Sequence, residues 1–212
     1  MNFPAILNIL GHVIKYELLL LLIPFAVALF YGQGDASAFL YTILIMLPIS
    51  IILTRVKGKK KEIYAKEGFL TVGLAWIVIS FFGALPFVFN GAIPSFIDAF
   101  FETSSGFTTT GASILTEIQS LPKGILFWRS FTHWVGGMGF LIFILALMPS
   151  FGGNTIHLLK AESPGPTPGK IVPKIKQTAK ILYAIYFVLT VIETIFLKFA
   201  GMSWYDAIIH AL

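Results

Sequence analysis

Cysteine is absent from all 212 residues, which excludes disulfides, thiolate metal sites and cysteine nucleophiles. Charge is scarce: 12% of residues are Asp, Glu, Lys or Arg, against about 25% in a soluble domain. The N-terminus lacks the short apolar core and small-residue cleavage site of a removable signal peptide. Its first apolar stretch is long and reads as a permanent helix. The chain is instead rich in apolar side chains, which make up 57% of it. So short a chain cannot bury that much apolar surface by itself, and lipid must cover the rest.

The net charge of +5 is placed in a way that speaks against nucleic acid. Arg55, Lys57, Lys59, Lys60, Lys61 and Lys66 crowd one loop, and Lys160, Lys170, Lys174, Lys176 and Lys180 fill or border another. Two basic loops between apolar stretches are cytoplasmic by the positive-inside rule. The apolar stretches run over about 3–31, 38–54, 69–89, 125–148 and 179–200, each long enough to cross a core about 30 Å thick. Both basic loops are cytoplasmic only if the N-terminus is too. Trp128, Trp134 and Trp204 fall near predicted span ends, where aromatic belts form. The expected fold class is therefore an all-α, multi-pass membrane protein with its N-terminus in the cytoplasm.

The segment 90–124 is different. Ile93-Pro94-Ser95 predicts a helix start, with Ser95 as N-cap and Asp98 at the capping-box position. A helix over 95–105 is only roughly 16 Å long, half a bilayer. The run Ser104-Ser105-Gly106-Phe107-Thr108-Thr109-Thr110-Gly111-Ala112-Ser113 that follows has no helical or amphipathic-strand periodicity. A half-length helix and a Gly/Thr run between two spans predict a segment that enters the membrane and returns. Irregular backbone at that depth survives only inside protein or along a watery cavity. The pattern repeats: Ser95-Phe96-Ile97-Asp98-Ala99-Phe100-Phe101 reappears 108 residues later as Ser203-Trp204-Tyr205-Asp206-Ala207-Ile208-Ile209. The counterpart of Gly111 would lie beyond Leu212, so the chain is expected to be one complete unit and the start of a second.

A cation leaving water needs oxygens in place of its hydration shell, and stacked backbone carbonyls supply them without a full charge. Gly111 permits backbone angles that a side chain forbids, and the threonines keep the lumen narrow. The C-terminal end of the preceding half-helix, near Thr103 to Gly106, turns a negative dipole end towards the site. Thr108, Thr109, Thr110, Gly111 and Ala112 are the candidate ion-binding residues. Glu102 is expected to hydrogen-bond behind this strand. Arg129 is expected to reach headgroups or a neighbouring carboxylate, or to set the field of the pore. Glu193, in mid-span, is either half of a buried pair or functional. Gly136, Gly137 and Gly139 suit close helix packing. His133 and His210 stand alone, without metal-ligand spacing, and no nucleophile-elbow spacing is present, so no enzyme is expected. Ser163-Pro164-Gly165-Pro166-Thr167-Pro168-Gly169 reads as a non-helical connector.

Ser105 to Ala112, Phe127-Trp128-Arg129-Ser130 and Trp134-Val135-Gly136-Gly137-Met138-Gly139 resemble the first pore unit of the Trk/Ktr/HKT superfamily of potassium transporters, most of all its TrkH-type members. Leu159 to Glu162, Gly165-Pro166 and Gly201 to Ala211 are similar too. The resemblance implies two extra N-terminal helices in residues 1–68, then repeats of M1, pore helix, filter and M2 around one pore. Residues 69–148 would be the first repeat, with filter 108–113 and M2 125–148. Residues 149–178 would be a cytoplasmic connector, and 179–212 the start of a second repeat. Potassium, held at Thr109, Thr110 and Gly111, would be substrate and not cofactor, with this chain supplying one of four filter strands. A homodimer and a cytoplasmic nucleotide-binding, TrkA-like ring are implied as partners, beside membrane lipid in the plasma membrane. The alternative is a short subunit that forms a channel as a homotetramer.

Overall fold

The computed structural model describes residues 2–56, 65–137, 139 and 175–212. Among them are seven helices and no strand: α1 (Phe3–Tyr31), α2 (Ala36–Thr54), α3 (Ala65–Asn90), α4 (Phe96–Phe107), α5 (Lys123–Gly137), α6 (Ile175–Phe199) and α7 (Trp204–Ala211). Helices α1, α2, α3 and α6 are long and apolar enough to cross a membrane. Lys57, Lys59, Lys60, Lys61, Lys160, Lys170, Lys174, the connector from 149 to 174 and the expected span from 140 to 148 lie outside the described residues.

Local chemistry sets the ends of these helices. Asn2 caps α1 by accepting from the Ala5 N–H, and Pro4 sits in the first turn, where no intrahelical donor is lost. Gly32, left-handed at φ 61°, closes the other end by donating its N–H to the Ala28 carbonyl. Pro24, Pro48 and Pro86 lie inside α1, α2 and α3, which membrane helices tolerate when neighbours satisfy the freed backbone groups.

Helix α1 is the hub, packed against α2, α3 and α5, and α4 lies between α3 and α5. Gly11 lets α1 run against the backbone of Leu53 and Thr54. The Asn8 amide donates to the carbonyls of Thr54 at 2.7 Å and Val56 at 3.1 Å, capping the end of α2 from outside. The core lies among α1, α3, α4 and α5, around Val13, Leu21, Ile79, Phe87, Phe107 and Trp128. Outward faces are as apolar as the core: Leu22, Leu44, Ile52, Ile77 and Phe196 are exposed. In water such surface would drive aggregation; in lipid it needs no further cover.

Candidate functional site

Helix α4 begins at Ser95, whose extended backbone leaves its Oγ free to accept from the Asp98 N–H at 3.4 Å. It ends two residues later than 95–105 predicts, and the ending shapes the site. The N–H of Thr109 donates to the Gly106 carbonyl and that of Thr110 to the Ser105 carbonyl, both at 2.9 Å. This double closure needs a left-handed residue, and Thr109 supplies it at φ 55°, alone among described non-glycine residues. For an L side chain that conformation costs roughly 1–2 kcal/mol, so the surroundings must hold it.

The closure uses the carbonyls of Ser104, Ser105 and Gly106. Ser104 accepts from both the Thr108 N–H and the Thr108 hydroxyl, the latter at 2.7 Å. Because that proton is committed, Thr110 is the donor in the 2.8 Å bond between the two threonine hydroxyls. Thr108 and Thr109 thus form the helix cap, and Thr109 is also the first residue of the Gly/Thr segment that runs on to Ile114. Gly111 is left-handed at φ 74° with open space where a Cβ would stand. Thr108 to Ile114 are exposed, and among the described residues no hydrogen bond is donated to the carbonyls of Thr109, Thr110, Gly111 or Ala112.

The far end of this segment is fastened by Glu102. Its buried carboxylate accepts from Arg129 Nε at 2.7 Å and from the Ile114 N–H at 3.0 Å. The Ser113 hydroxyl donates to the same carboxylate, 2.9 and 3.0 Å from its two oxygens. The pair is the one ion pair found among the described residues, and such charge-assisted bonds are the stronger kind. One side chain of α4 therefore ties the end of the Gly/Thr segment to α5, and Arg129 pairs with it instead of reaching outward.

Two glycines bring α4 and α5 close enough for that bond. A Cβ on Gly106 would strike the Thr132 side chain, and one on Gly136 the Phe107 carbonyl. Gly137 faces the Tyr186 hydroxyl, and Gly139 is left-handed at φ 66°. Trp128, expected in an interfacial belt, is instead fully buried, with its indole N–H donating to the Gly83 carbonyl at 2.9 Å and its ring edge-on to Phe107. It is the middle of the core that needs the large ring. Trp134 stacks on Tyr186 and donates to Thr190 Oγ1 at 3.0 Å, while Trp204 is exposed.

The remaining residues singled out from the sequence stand apart from the site. Glu193 is exposed on α6, in a shallow apolar groove with Leu189, Ile192, Phe196, Leu197 and Ala200, and has no ion-pair partner among the described residues. His133 and His210 each bond, through Nδ1, the carbonyl four residues earlier, Arg129 and Asp206. Two acids are buried in a way that the sequence pattern did not reveal. Glu17 is fully buried in α1, beside Gly83, Thr103 and Phe107. Lys15 is exposed, because residues two apart on a helix face different ways. Asp35, in the turn after α1, is also fully buried.

Comparison with known proteins fits this arrangement. The family model for TrkH, described as a cation transport protein, matches residues 37–211. The Trk system potassium uptake protein TrkH of Escherichia coli K12 is 43% identical over 100% of this chain, which spans 44% of that protein's length. Trk system potassium uptake protein TrkG of the same strain is 31% identical over 98% of the chain, covering 44% of its own length. The crystal structure of the potassium transporter TrkH from Vibrio parahaemolyticus superposes with a TM-score of 0.81 at 35% identity, over 100% of this chain and 42% of that one. The match to the family model, which takes in both half-helices, the Gly/Thr segment and its Glu102–Arg129 brace, makes this chain a member of the TrkH cation transport protein family.

Proposed function

We propose that this chain contributes to potassium uptake across the plasma membrane, and that Thr109, Thr110, Gly111 and Ala112 form one wall of the path the ion takes. The observation that carries the reading is the segment held at both ends, by the α4 closure and by Glu102, with its carbonyls unengaged among the described residues. A dehydrating cation needs oxygens of that kind. The helix end uses its own carbonyls for closure, so it acts on the ion through its dipole and leaves coordination to the segment. One wall does not make a cage, and further walls must come from the rest of the pore. By itself the chain is expected to conduct poorly or not at all.

In the same reading the N-terminus is cytoplasmic, α1 and α2 are the extra N-terminal pair, α3 and α5 are M1 and M2 of the first repeat, and α6 and α7 open the second. The relatives' designation as parts of a Trk system supports a chain that works with other components, which in this reading are a second copy of the intact protein and a cytoplasmic nucleotide-binding ring. The function is transport and not catalysis.

Rubidium-86 uptake into a bacterium lacking its own potassium uptake tests the proposal, using the protein as the cell makes it. Gly111→Asp places a charged side chain on a left-handed residue beside the path, and uptake is expected to vanish while the amount in the membrane stays normal. Unchanged uptake would remove Gly111 from the ion's route.

A further inference from the structure

The turn between α1 and α2 reaches across the bundle to the start of α5. The first N–H groups of a helix have no partner within it. In α5 they find acceptors 90 residues upstream: Lys123 N–H donates to Gln33 Oε1 at 2.6 Å, and Ile125 N–H to Asp35 Oδ2 at 3.3 Å. Asp35 is fully buried, and its carboxylate presses so closely on Gly124 that a Cβ there would collide with it and with Ala28. The same helix end is held from the other side by α7, where the Tyr205 hydroxyl donates to the Lys123 carbonyl at 2.6 Å and the Lys123 ammonium lies 4.3 Å from the ring centre. Further along α5, Arg129 holds Glu102, and Glu102 holds Ser113 and Ile114.

We propose that Gln33 and Asp35 are positioning residues for the Gly/Thr segment. By capping α5 from a distance they set the height of Arg129, and through Glu102 they set where the segment ends. The N-terminal helix pair thereby acts on ion selection without lining the path. This rests on the reading of the segment as an ion path given above.

The test compares rubidium-86 with sodium-22 uptake in the same cells, with the protein as the cell makes it. The amount of protein in the membrane scales both ions alike, whereas a displaced wall changes their ratio. Asp35→Ala is expected to lower the rubidium-to-sodium ratio about three- to tenfold, the size of one hydrogen bond's net contribution. Gln33→Ala should lower it less. Asp35→Asn should keep the ratio near wild type, because the amide oxygen still accepts from Ile125. An unchanged ratio in Asp35→Ala overturns the proposal, and where Asp35→Ala fails to reach the membrane an unchanged ratio in Gln33→Ala, an exposed position, overturns it. A ratio in Asp35→Asn as low as in Asp35→Ala also overturns it, since charge and not capping would then be responsible. If Gly111→Asp leaves uptake intact, the ion-path reading fails instead, and that outcome is separate from any change in ratio.

Discussion

Helices α4 and α7 are entered through the same cap, 108 residues apart, yet their later turns are held by different chemistry. In each, an extended serine (Ser95 or Ser203) accepts from the N–H of an aspartate three residues on. In each, the alanine after that aspartate, Ala99 or Ala207, is fully buried and donates its N–H to the serine carbonyl at 2.9 Å. One turn further the likeness ends. Glu102 stands where α7 has His210; Glu102 is buried and braces the Gly/Thr segment, whereas His210 is exposed and bonds only its own helix, at the Asp206 carbonyl. Ile97 is exposed on its helix, while the matching Tyr205 reaches across to Lys123. The cap recurs in both half-helices, and the brace is found in α4 alone among the described residues.

The largest expected effect breaks the comparison at this position. Glu102→Ala leaves the Arg129 guanidinium without its partner and frees Ser113 and Ile114, and breaking a buried pair from one side costs about 3–5 kcal/mol. Rubidium-86 uptake, corrected for the protein in the membrane, should fall by at least about tenfold. His210→Ala touches no such network and should change uptake by less than about twofold, the range of ordinary surface substitutions. Equal losses in the two variants would mean that the brace does not distinguish the two half-helices.

How far the sequence could be read depends on how local each cause is. The four long helices follow from apolar length alone, and Ser95 with Asp98 marks a helix start because a cap acts within one turn. Glu102 was legible as a polar group behind the segment. Arg129 was legible as reaching headgroups or a neighbouring carboxylate, but that the carboxylate is Glu102 was not, because 27 residues and the packing of Gly106 and Gly136 intervene. The Asp35 and Gln33 caps on α5 are more distant still and read locally as nothing more than a turn. Trp128 looked interfacial by its place near a span end, but the core between α3 and α4 claims its ring. Glu193 has no ion-pair partner among the described residues for a different reason: its own turn of α6 is exposed, while Trp134 packs on the same face further back, at Tyr186 and Thr190.

A smaller effect sharpens the likeness of the two caps. Ser95→Ala and Ser203→Ala should each cost about 1 kcal/mol, since either change leaves a first-turn N–H without its acceptor. Amide exchange of the first turn is the measurement, read at Asp98 and at Asp206. Both amides should exchange about fivefold faster, by equal factors within error. An increase confined to one of them would show that the other half-helix is held by its packing and not by its cap, and the sequence repeat would then have no energetic counterpart.

The smallest effect concerns the closure of α4. Thr109→Gly relieves a left-handed strain of roughly 1–2 kcal/mol, but glycine gives back about 0.5–1 kcal/mol in chain entropy. The two nearly cancel, so the midpoint of thermal unfolding should rise slightly or not at all. The ratio of rubidium to sodium uptake should fall even so, because a threonine locked at φ 55° fixes the first carbonyl of the segment more tightly than glycine can. Stability and selectivity would then move independently at one residue. A clear drop in unfolding temperature with an unchanged ratio would mean that Thr109 serves the helix end alone, and that the wall begins at Thr110.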